Sequence, residues 1–142
     1  MTPIFFRYSL TEIKLAVRAA AVIAGAHIQV KLRPINAMRN WALPRASRTG
    51  KQDELLLAFW RASNRVPGTC LIRALALQRF LSLHGFASEL RIGVAPSPAG
   101  LLAHAWLLDG DRILIGGGEE AESFKVLTTW SDAAVAATKR VR

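Results

Sequence analysis

The character of the chain changes at Gly85, and that change limits the folds open to it. Before it lie long segments with helical punctuation; after it come short runs rich in Ile, Leu and Val, broken by Gly, Pro and Asp. Ser9 and Glu12 have capping-box spacing and open an Ala-rich segment that runs to about Leu32, ahead of Pro34. Asp53 and Glu54 place negative charge in the first turn of a second helix ending near Asn64, with Leu56, Phe59, Trp60 and Ser63 at helical spacing. Val66-Pro67-Gly68-Thr69 breaks the chain, Thr69 caps a third helix starting at Cys70, and Gly85 stops it. Residues 33 to 50 read as a connector with at most a short helix. Three strands follow, Ala87 to Val94, Leu102 to Leu108 and Arg112 to Ile115, with Asp109-Gly110-Asp111 as a tight hairpin between the last two. Pro96, Pro98 and Gly100 mark a flexible loop between the first two strands, and helical segments are compatible with residues 119 to 125 and 131 to 138. The order predicts an α+β fold, N-terminal helices packed on a small antiparallel sheet.

At 142 residues, 51% of them apolar, the chain has the size and core of one domain, with a helical N-terminal region over residues 1–50 and a catalytic core over 51–118. Nineteen Lys and Arg against ten Asp and Glu give a net charge of +9, which attracts nucleic acid, anionic lipid or acidic peptide alike. No base-reading module accompanies the basic residues, so no specific nucleic-acid partner is expected. Lys14, Arg18 and His27 interrupt an apolar stretch judged shorter than the ~20 residues that span a bilayer. A packing helix is the first reading of this stretch, and a peripheral membrane contact is the second.

Chemistry concentrates on Cys70, the only cysteine, and on His104. A lone thiol cannot form an internal disulfide and fits a reducing compartment, the cytoplasm. At a helix N-terminus a cysteine meets unsatisfied amides and the positive end of the helix dipole, which favour thiolate, although the same residue fits an inert core thiol. His104 stands in the apolar run Leu101 to Leu108, where a buried ring needs a partner, and helix-on-strand packing brings such a pair into reach. Together they read as nucleophile and base of a cysteine protease. His84, in the last turn before Gly85, reads as a helix cap, and His27 receives no chemical role. An orienting third group is not assigned. Asp109 points to the other strand face and lies ~17 Å along. A two-residue loop at Gly110-Asp111 sets His104 opposite Gly117, which has no side chain to orient it, and Glu119 or Glu120 could reach back from beyond the strand.

The runs Pro67-Gly68-Thr69-Cys70-Leu71-Ile72-Arg73-Ala74-Leu75, Leu90-Arg91-Ile92-Gly93-Val94 and Ala103-His104-Ala105-Trp106-Leu107, followed by Asp109-Gly110, resemble the transglutaminase-like leader peptidases of lasso-peptide biosynthesis. The resemblance is most specific from about Trp60 to Ile115. It implies a papain-like, transglutaminase-like fold with Cys70 as nucleophile and His104 as base, acting without a cofactor or metal. The implied reaction removes the leader from a ribosomal precursor peptide before a partner cyclase closes the macrolactam. Some members carry an additional leader-recognition domain; this chain is too short for both, which implies a separate small leader-recognition protein. The family triad ends in an aspartate on the strand after the histidine, where this chain has Gly116-Gly117-Gly118. Arg73 has two readings, peptide contact or a helix-surface ion pair, and Trp106 has two, cleft wall or core. Two rival functions stay open: an acyltransferase using an amine acceptor, and a non-catalytic member that holds the leader or another biosynthetic protein.

Overall fold

The computed structural model describes residues 9–43, 47–116 and 124–131. Four helices precede four strands: α1 (Leu10–Leu32), α2 (Ile35–Ala42), α3 (Gln52–Ser63), α4 (Cys70–Leu83), β1 (Glu89–Ser97), β2 (Gly100–Asp109), β3 (Arg112–Ile115) and β4 (Lys125–Trp130). The strands form one antiparallel sheet in the order β3-β2-β1-β4. This is the α+β architecture expected from the sequence.

The helix boundaries follow from capping. Ser9 Oγ accepts from the Glu12 amide at 3.2 Å while the Glu12 carboxylate accepts from the Ser9 amide at 2.9 Å, so two orphan donors of α1 are satisfied reciprocally. The helix runs for 23 residues, which overturns the expected shortfall in length: by length and composition it could cross a membrane. Its Ala19, Ile23 and Ala26 are nonetheless fully buried in the core, where α1 packs on α3 and α4. The connector contains α2, and it contributes to the core through Met38 and Ala42. On α3 the buried face is Leu55, Ala58, Phe59, Ala62 and Ser63, with Leu56 partly buried beside it; of the residues expected at helical spacing only Trp60, 62% exposed, turns away.

The central element is α4. Nearly every residue from Ala74 to Leu81 is buried because α1, α2 and α3 pack on one side and β1 and β2 on the other, which an all-round apolar helix permits. Phe80, Leu75, Leu77 and Leu81 are at most 1% exposed, each removal from water contributing about 1.5–3 kcal/mol. Gln78 is also fully buried, and its amide donates to the carbonyls of Trp130 (2.9 Å) and Ser88 (3.4 Å), tying α4 to both β4 and the entry of β1. Arg79 donates to the Trp41 carbonyl and lies 4.5 Å over the Trp41 ring, fastening α2 to α4; burial lowers its pKa below the ordinary guanidinium value.

The sheet departs from expectation in three places. The expected loop around Pro96 to Gly100 is a continuation of both strands, with Ser97 paired to Gly100 across a two-residue turn. Pro96 is tolerated because pairing with β4 ends at Val94, which leaves that part of β1 laddered on one side only. A fourth strand, Lys125–Trp130, was not anticipated; it pairs with β1 rather than with its sequence neighbour β3. The β2–β3 hairpin has the expected Asp109–Arg112 closure, but the register shifts between Leu107 and Leu108, so Leu107 faces Ile115. The one-to-one count used for the hairpin therefore holds only as far as Leu108 and Ile113. Gly117, Glu119, Glu120 and the candidate terminal helix beyond Ser131 lie outside the described residues.

Candidate functional site

Cys70 is the first residue of α4. Thr69 Oγ1 accepts from the Ile72 amide at 3.4 Å, and the Thr69 carbonyl takes the Arg73 amide at 3.0 Å. The amides of Cys70 and Leu71 belong to the first turn and have no intrahelical acceptor, so the thiol sits beside backbone donors and the positive end of a 14-residue helix. The side chain is half-buried, free of any disulfide and packed against the core shared by the helices and the inner sheet face.

A residue 43 positions earlier holds this entry loop in place. The ring of His27, on α1, donates from Nε2 to the carbonyl of Pro67 at 2.6 Å. Pro67 and Gly68 lead directly into the cap, and a Cβ at Gly68 would stand 3.0 Å from Ile72 Cγ2, tight packing at the same helix start. The sequence assigned His27 no role, and no motif could have found it: its partner is a main-chain oxygen far away in sequence.

His104 lies on β2 opposite Gly93. Strand alternation sends Ala105 and Leu107 into the helix-side core, while His104 stacks on Trp106 (centroids 5.8 Å, 20° between planes) and on Phe124 (5.2 Å) on the other face. Trp106 is buried with Leu108 and Phe124 in a small cluster of its own, so packing describes it better than an open cleft wall. Among the described residues no hydrogen bond joins Cys70 to His104. The sulfur packs with the core and the ring lies with the outer cluster.

The orienting group is a main-chain atom. His104 Nε2 donates to the carbonyl of Gly116, which in the neutral ring selects the tautomer with hydrogen on Nε2 and an acceptor lone pair on Nδ1. The third group that the sequence left unassigned is thus supplied by the backbone of Gly116. Gly116 has φ +77°, and a Cβ there would stand 2.5 Å from the Ala105 carbonyl oxygen and 3.1 Å from Trp106 Cα. Only glycine lets the chain leaving β3 lie this close to β2.

The other polar candidates serve the fold. Asp109 accepts from Gln52 Nε2 at 2.9 Å, and Arg112 lies 3.7 Å from Asp53, so the hairpin is tethered to the start of α3. His84 Nδ1 donates to the Phe80 carbonyl at 2.9 Å and its amide closes the end of α4, the capping role read from sequence. Arg73 has a buried Nε with no hydrogen-bond partner, and it forms no ion pair among the described residues. Groups of His, Cys, Asp and Glu able to hold a metal ion are absent among the described residues.

The model of the transglutaminase-like superfamily matches residues 13–129. The match spans α1 through nearly all of β4 and includes both Cys70 and His104. No curated protein and no solved structure matches the chain. Domains of this superfamily are generally cysteine-dependent peptidases or acyltransferases.

Proposed function

Because the chain belongs to the transglutaminase-like superfamily, we propose that it is a cysteine peptidase that removes the leader of a lasso-peptide precursor, with Cys70 as nucleophile and His104 as base. The observation that carries the reading is the contact of His104 Nε2 with the Gly116 carbonyl, which in the neutral ring leaves Nδ1 as the acceptor. Superfamily membership supports thiol-dependent acyl chemistry, and the motif runs around Cys70 and His104 support the leader as substrate.

In this reading precursor binding rearranges the site, carrying the His104 ring out of its cluster with Trp106 and Phe124 so that Nδ1 reaches Cys70 Sγ. His104 Nδ1 then takes the Cys70 proton, and the thiolate attacks the scissile carbonyl to give a tetrahedral oxyanion. The amides of the first turn of α4, including that of Cys70, supply donors for that oxygen. Collapse breaks the C–N bond, and the imidazolium returns its proton to the leaving amine. Water, deprotonated by the same Nδ1, resolves the thioester to a carboxylate and free thiol. A separate leader-recognition protein would present the precursor, and the lasso cyclase would consume the product, in the reducing cytoplasm where a lone thiol persists.

The test is to incubate the purified chain with precursor, with and without the recognition protein, and follow mass. Leader release lost in Cys70→Ala supports the proposal; equal release by that variant refutes it. Supplying an amine acceptor separates the two acyl-transfer outcomes, since hydrolysis adds water to the cleaved fragment and aminolysis adds the amine.

A further inference from the structure

We propose that the outward face of α1 seats on an anionic lipid surface. Ala19, Ile23 and Ala26 mark the inward face, each fully buried. Opposite them, Leu10, Val17, Ala21, Ala24 and Ile28 recur at intervals of seven, four, three and four, which places them in one stripe along the helix. Leu10 is 76% exposed, Val17 63%, Ile28 56%, and Leu32 at the end 75%. An ordinary surface helix turns polar residues to water; this one is apolar on both faces.

Charge identifies the occupant. Lys14 and Lys31 lie along the stripe near its two ends, and Arg18 and Arg33 are exposed nearby. The one acid of the helix, Glu12, spends its carboxylate on the Ser9 amide. Apolar side chains between exposed Lys and Arg suit the boundary of acyl chains and anionic headgroups, where long basic side chains reach outward to phosphate and carboxylate. The helix lies on the surface rather than crossing it, because crossing would strip Ala19, Ile23 and Ala26 from α3 and α4. The inference is independent of the chemistry proposed for Cys70.

The experiment is flotation of the full chain at physiological salt with vesicles of three parts phosphatidylcholine to one part phosphatidylserine, and with phosphatidylcholine alone. The comparison variant is Val17→Asp with Ile28→Asp, both at exposed positions, its helicity checked by circular dichroism. The wild-type chain is expected to float with the anionic vesicles, and partitioning is expected to fall at least about tenfold both on neutral vesicles and in the variant. A wild-type chain that stays with the soluble fraction, or a folded variant that floats equally well, overturns the proposal. So does a wild-type dimer, detected by light scattering and abolished in the variant, without vesicle binding: the stripe then belongs to a second copy.

Discussion

Replacing Gly116 by alanine tests the geometry that orients His104. The residue sits at φ +77°, where a side chain costs about 1–3 kcal/mol. The new Cβ would also stand 2.5 Å from the Ala105 carbonyl and 3.1 and 3.2 Å from Trp106 Cα and Cβ. Two of these neighbours are backbone atoms of a paired strand, so relief requires β3 to move away from β2, an overpacking cost of about 1–3 kcal/mol more. Gly110→Ala is the matched control: φ is +60°, with nothing within 4 Å of its Cβ. Urea unfolding followed by circular dichroism should show Gly116→Ala less stable than Gly110→Ala by about 1–3 kcal/mol. Nitrogen-15 NMR of the wild-type imidazole should show the hydrogen on Nε2, and the folded fraction of Gly116→Ala should lose that bias. Equal stability of the two variants, or a wild-type ring protonated on Nδ1 alone, would refute the reasoning.

Gln78→Leu should leave the carbonyls of Trp130 and Ser88 without their donor, costing about 1–3 kcal/mol and accelerating amide exchange along the β1–β4 ladder more than along β1–β2. His27→Ala should cost about 0.5–1.5 kcal/mol and slow alkylation of Cys70 by loosening the Pro67 loop, with His27→Gln recovering part of both effects; unchanged alkylation would confine His27 to a purely structural tie.

What the sequence made legible was punctuation. Ser9 with Glu12, Thr69 before Cys70, Gly85, and Asp109-Gly110 each signal through local chemistry, and each stands where that chemistry placed it. The strand β4 was missed because its partner β1 lies more than thirty residues earlier and nothing local announces the pairing. The hairpin count failed at one bulged residue, which makes Ile115 and not Leu114 the partner of Leu107. For the site, Cys70 and His104 were readable as residue types. The Gly116 and Pro67 carbonyls were not, since every residue carries one and only the folded chain decides which is used.

The most direct measurement is the pH dependence of Cys70 alkylation by iodoacetamide in the wild-type chain and in His104→Ala. An imidazole acting on the thiol predicts alkylation that persists into mildly acidic solution and is lost there in the variant. Superimposable profiles, both falling away as an ordinary thiol does, would contradict the pairing of sulfur and ring on which the proposed chemistry rests.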